Sequence, residues 1–163
     1  MEYLRLSRYD PNHKYRSDET WTSYADIGRT FEDGRLTEES YLRIERAYLA
    51  AAKAIAMEAL VGELTVASLE FVREPAQRPQ IEEGLRLPLD HALEVLRREL
   101  RGDLSCRLVD GRFYIDVGLD YYLYVGVDKV SQGTLSEIIR LGLHVERDLP
   151  SPFLGDRSPS WTV

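Results

Sequence analysis

Asp110-Gly111 stands between two runs of alternating character, Leu-Ser-Cys-Arg-Leu-Val before it and Arg-Phe-Tyr-Ile-Asp-Val after it. This dipeptide favours a two-residue type I′ β-hairpin, because both central residues of that turn need positive φ. With the turn on Asp110 and Gly111, Val109 faces Arg112, Leu108 faces Phe113, Cys106 faces Ile115 and Leu104 faces Val117. Leu104, Cys106, Leu108, Phe113, Ile115 and Val117 then share one face, and a slip of one residue scatters them. A second turn over Gly118, Leu119 and Asp120 sets Val117 opposite Tyr121, Leu123 beside Ile115 and Val125 beside Phe113. The product is a three-stranded meander over about 104–127 with one dry side. The other side collects Arg107, Arg112, Tyr114, Asp116, Tyr122 and Tyr124. Tyrosine joins a large, rigid contact area to a polar tip, so this face is expected to stand exposed and to bind.

The flanking segments supply layers for the meander to pack against. Residues 3–9 alternate Leu4 and Leu6 with Arg5, Ser7 and Arg8, as a strand with one wet face does. Residues 10–35 read as a long structured loop holding Trp-Thr-Ser-Tyr-Ala-Asp-Ile-Gly. Thr37 caps a helix that stops near Gly62, with Glu38 and Glu39 in its first turn and an inward stripe of Tyr41, Ile44, Tyr48, Ala51, Ile55 and Ala59. A strand over 64–72 and a polar connection over 73–84 follow. Pro88 suits a first helical position, Leu89, Leu93, Leu96 and Leu100 form a stripe, and Gly102 ends that helix. Thr134 with Glu137 makes a capping box for a third helix, and residues 143–147 add a last strand. These elements predict one α+β domain over 1–149, with a mostly antiparallel sheet and helices packed on one face, and a Pro/Ser-rich tail over 150–163.

Composition restricts the partners. Among 163 residues, 21 Lys and Arg stand against 28 Asp and Glu, a formal charge of −7 that a nucleic-acid backbone repels. Cys106 has no second cysteine to pair with, and the first residues lack a basic start followed by an apolar run, which points to the cytoplasm. No apolar run approaches the roughly 20 residues of a membrane span. His13, His91 and His144 show no metal-ligand spacing, and His91, beside the leucine stripe, is the one expected to be half buried. Cys106 falls on the dry face, where a thiol is inert. Neither a G-x-S-x-G elbow nor a phosphate-cradling glycine loop is present, so catalysis and a cofactor are not expected. Asp10, Asp18 and Asp26 could converge in the long loop, while Trp21 and Asp26 serve either to anchor that loop or to bind.

Three segments taken together resemble a known group: the Trp21 to Gly28 loop, the helix opening Leu36-Thr37-Glu38-Glu39-Ser40-Tyr41-Leu42-Arg43-Ile44-Glu45 with Ala47-Tyr48 after it, and Phe113-Tyr114-Ile115 leading to Asp120-Tyr121-Tyr122-Leu123-Tyr124-Val125-Gly126. In this order they are similar to the immunity proteins of bacterial contact-dependent growth inhibition and related polymorphic toxin systems, over residues 3–147. The resemblance implies a non-catalytic cytoplasmic protein that binds the C-terminal domain of one cognate toxin, often a nuclease, and blocks it. The tyrosine face then predicts the contact on Tyr114, Asp116, Tyr122 and Tyr124, with Trp21 and Asp26 of the long loop as a second choice. The alternative is a cytosolic regulatory or small-molecule-binding domain that uses the tyrosine face or the long loop as a pocket.

Overall fold

The structure, a computed structural model, describes residues 1–14, 19–72 and 80–154. In chain order its elements are β1 (Glu2–Ser7), β2 (Thr30–Phe31), β3 (Gly34–Arg35), α1 (Glu38–Glu58), β4 (Glu63–Phe71), β5 (Arg86–Pro88), α2 (Leu89–Leu100), β6 (Leu104–Asp110), β7 (Phe113–Val117), β8 (Leu123–Val127), α3 (Gln132–Arg140) and β9 (His144–Arg147). Seven strands form one sheet in the order β5-β4-β6-β7-β8-β1-β9, and β2 and β3 make a separate small hairpin. Every pair in the large sheet is antiparallel, and the helices pack on one of its faces, so the fold is α+β as the hydrophobic pattern requires. The polar connection expected over 73–84 lies mostly outside the described residues, as do Asp18 and the tail beyond Leu154.

The meander forms with both registers displaced. Asp110 pairs with Phe113 and Leu108 with Ile115, so the turn residues are Gly111 and Arg112 instead of Asp110 and Gly111. Gly111 takes a φ of +50° while Arg112 stays on the negative side, and the type I′ turn is not made. Across the next turn Val117 pairs with Leu123 and Ile115 with Val125, which moves that register in the same way. Each displacement equals one period of the side-chain alternation, so the dry side keeps its members. Cys106, Leu108, Phe113, Ile115, Leu123 and Val125 are all buried in the main core together with Leu4 and Leu6 of β1.

Hydroxyl and carboxylate anchors fix the helices on this core. The Thr37 side chain caps α1 by accepting from the Ser40 amide. Pro88 precedes α2 as its cap instead of opening it. The third helix begins earlier than its expected Thr134 cap, because Ser131 takes that place, accepting from the Thr134 amide at 3.2 Å. Glu58 at the end of α1 accepts from both the Ser131 amide, at 2.6 Å, and its hydroxyl, at 3.0 Å. Between α1 and α2, Arg101 forks onto the two oxygens of the buried Glu45 at 2.7 and 2.8 Å. Arg97 adds a second cation, its Nε 3.4 Å from Glu45 Oε1, so the buried carboxylate is compensated by two arginines at the end of α2.

The face of the sheet away from the helices carries a second, smaller cluster of Val109, Tyr114 and Tyr124, flanked by Tyr3, Ala67 and Tyr122. After β9 the chain turns back across this face. The Asp148 amide donates to the Tyr3 carbonyl at 2.8 Å, the Ser151 amide to the Tyr114 hydroxyl at 3.3 Å, and Arg107 donates to the Phe153 carbonyl at 3.0 Å. Residues 148–154 therefore run over β1, β7 and β6 in turn, so the Pro/Ser-rich tail begins as a covering segment.

Candidate functional site

The tyrosine face is not exposed. Tyr114 is 5% and Tyr124 7% accessible, and Asp116 and Arg107 beside them are 5% and 4%. Two causes act together. Each ring lies flat over a neighbouring glycine: a Cβ on Gly126, which pairs with Tyr114, would come within 2.1 Å of the Tyr114 ring, and one on Gly118 within 2.5 Å of the Tyr124 ring. The returning segment then seals the patch, with the Ser151 hydroxyl bonded closely to Asp116 and the Arg107 guanidinium 3.4 Å from the same carboxylate. Burial pushes the Tyr114 phenol up to about 12, so it acts as a neutral hydrogen-bonding group. The exposure expected of Tyr114, Asp116 and Tyr124 is thus corrected, and Arg112, placed on that face by sequence, sits exposed in the turn with Asp128 at 2.9 Å.

The loop residues have local tasks. Trp21 is buried against the rings of Tyr41 and Tyr121, with centroids at 5.6 and 5.2 Å, and its carbonyl accepts from Arg8 and Tyr9. Asp26 is buried, accepts from the amides of Thr22 at 3.0 Å and Ser23 at 3.1 Å, and pairs closely with Arg29. Both anchor the loop, and neither offers itself to a partner. Asp10 does not meet Asp26. His91 is exposed on α2, contrary to its expected half-burial, whereas His144 in β9 is partly buried. Cys106 lies in the core as expected, and burial pushes its thiol well above its ordinary value. No group of three or more His, Cys, Asp or Glu is placed to hold a metal ion among the described residues.

Of the six expected residues, Tyr122 is the one that lines the larger concavity. A cleft of about 480 Å³ lies between the outer sheet face and the loop after β1, lined by residues of β1, β9, the loop and the Asp120-Tyr122 turn. Arg5 of β1 pairs across the ladder with Glu146 of β9, and its Nε and Nη2 both reach the same oxygen, Oε2, at 2.8 and 2.7 Å. The Arg5 guanidinium lies 4.5 Å over the Tyr122 ring, whose edge meets Tyr9 at 5.5 Å. Tyr9 is fixed in turn: its hydroxyl donates to the Trp21 carbonyl at 3.0 Å, and burial pushes its phenol up to about 12. Asp10 lines the mouth, held below its ordinary value by the Asn12 amide, which donates to it at 2.9 Å.

Asp120 completes the rim from a constrained turn. It and Tyr121 both have positive φ, +59° and +66°, a conformation that disfavours bulky side chains and persists only where the surroundings impose it. Here they do. The Tyr121 hydroxyl donates to Tyr41 at 2.8 Å, its carbonyl accepts from Tyr48 at 2.8 Å, and Tyr41 donates onward to the Leu100 carbonyl at 3.1 Å. The buried phenol chain thereby sets the position of an exposed carboxylate. Sequence reasoning placed Asp120 in a turn but missed Arg5, Tyr9 and Glu146, because these converge only through the β8-β1-β9 order, to which no local pattern points.

No family model, curated protein or solved structure matches this chain. No helix among the described residues is long and apolar enough to cross a membrane.

Proposed function

We propose that the chain is a non-catalytic, cytoplasmic immunity-type protein that neutralises a toxin domain by binding it, and that the cleft beside Tyr122, not the buried tyrosine face, receives the partner. The character of the cleft wall supports this reading. Small-molecule sites are lined mainly by apolar side chains with a few polar groups. This cleft is mixed: Arg5, Ser7, Asp10, His13, Lys14, Thr20, Thr22, Asp120 and Glu146 outnumber Pro11 and the two tyrosines by residue, while polar and apolar atoms share its surface about equally. Such a wall suits the charged side chains of a protein surface, and the net charge of −7 favours encounter with a basic partner such as a nuclease domain.

The volume favours a second reading, a regulatory domain that takes a small polar molecule, since about 480 Å³ lies within the range of roughly 300–1,000 Å³ common to ligand sites. Co-expression with the product of the adjacent gene separates the two. Rescue of growth by the native chain, and its loss in Asp120→Asn and Tyr122→Ala variants of unchanged melting temperature, is the expected result. Absence of toxicity in the neighbour, or rescue undiminished by both substitutions, overturns the assignment of this cleft to a toxin.

A further inference from the structure

A second concavity, of about 190 Å³, has the opposite electrostatic sign from the molecule as a whole. Arg8, Arg35 and Arg43 line it, with Trp21, Ser40 and a single carboxylate, Asp33, among the remaining residues. None of the three arginines forms an ion pair among the described residues, and the partners of Arg8 and Arg35 are neutral. Arg8 donates to the Thr20 hydroxyl and, at 2.9 Å, to the Trp21 carbonyl, while its guanidinium lies 3.9 Å over the Trp21 ring. Its Nε is buried with no acceptor among the described residues. Arg35 uses Nε on the Gly28 carbonyl at 3.1 Å.

The scaffold is built for this convergence. The β2-β3 hairpin, held by Thr30 against Arg35 and Phe31 against Gly34, carries Arg35 to the mouth, and paired bonds between Gly28 and Leu36 and between Leu36 and Arg29 fix its base. Arg43 stands one turn after Ser40 in α1. The Thr37 hydroxyl donates to Ser40 Oγ at 3.0 Å, which leaves the Ser40 hydrogen for another acceptor. Residues 20–22 form the wall shared with the larger cleft: Thr20 and Thr22 face that cleft and Trp21 faces this pocket.

Three guanidinium groups outside any ion pair among the described residues and the Ser40 hydroxyl together offer more donors than a carboxylate accepts, and they match a tetrahedral oxyanion. We propose that this pocket binds the phosphoryl group of a small phosphorylated ligand. The site is separate from the cleft assigned to a protein partner, and its test needs no partner.

Inorganic phosphate titrated into the full chain at constant ionic strength, followed by calorimetry and by melting temperature, is the test. Saturable binding that raises the melting temperature is expected, with chloride and acetate giving neither. Arg35→Gln and Arg43→Gln, both at exposed positions, each weaken binding about fivefold or more, the loss of one charge-assisted contact. Arg140→Gln, which removes the same charge from the far end of α3, leaves it within about twofold. A response to acetate equal to that to phosphate assigns the pocket to carboxylates and overturns the proposal. So does the absence of saturation, or an equal loss in all three variants.

Discussion

At the scale of single residues, the least expected group is Glu99. It sits in the inward stripe of α2 among leucines and is 7% accessible. Its carboxyl inserts where β6 and β7 part, accepting from the Cys106 amide at 3.1 Å and from the Val117 amide. Burial pushes it well above the ordinary carboxylate range, and the charge on Asp116 adds to this against the pull of the Cys106 amide. In the unfolded chain the same group titrates near about 4.3. Between those two values the folded state holds a proton that the unfolded state releases, so stability falls as pH rises through that window. Glu99→Gln keeps the shape and removes the titration. Denaturant midpoints for the two proteins should coincide near pH 4 and diverge as pH rises, the variant being the more stable at pH 8. A constant difference across this range would mean that Glu99 does not titrate on folding.

At the scale of elements, the meander was largely legible because hydrophobic alternation has a strict period, and the inward set of Leu108, Ile115 and Val125 follows from it. Its turn was not, since the choice between Asp110-Gly111 and Gly111-Arg112 alters no residue's face and leaves no trace in the pattern. The outer face was misread for a different reason. Gly126 and Gly118 are the signal that tyrosine rings lie down on it, but a glycine announces a ring only once the cross-strand partner is known. The cover is also a long-range event: Ser151 reaches Asp116 across 35 residues of sequence. This segment has few anchors, of which Ser151 is the central one, bonding Asp116, the Tyr114 hydroxyl and the Phe153 amide. Ser151→Ala should therefore release residues 148–154 without unfolding the sheet, at a cost of about 1–2 kcal/mol for the hydroxyl contacts. Hydrogen exchange at the Phe153 amide and nitration of Tyr114 should both accelerate, with the β7 amides still protected. Unchanged nitration in that variant would place the burial of Tyr114 on Gly126 alone.

At the scale of the whole molecule, the two ends of the chain meet in one ladder. The strand β1 lies between β8 and β9, and among the described residues β9 pairs with no other strand, so β9 joins the sheet through the first seven residues, while the segment after it is held at β7 and β6 as well. That attachment carries the larger cleft and the start of the covering segment: Arg5 and Glu146 wall the cleft from adjacent strands, and the segment covering Tyr114 departs directly from β9. Leu6 is fully buried, paired with Leu123 on one side and Val145 on the other. Leu6→Ala removes apolar volume that cannot be replaced from solvent, at about 2–5 kcal/mol. Leu93→Ala in α2 removes the same volume at a site 8% accessible and remote from this ladder. If β1 fastens β9 and the segment after it, the two variants should lose comparable global stability yet differ in native-state exchange. Leu6→Ala should deprotect the Val145 and Arg147 amides and the covering segment ahead of β6 and β7, whereas Leu93→Ala should lower protection evenly. Even loss in both would show the seven strands to be one cooperative unit, and would remove β1 as a hinge between the cleft and the core.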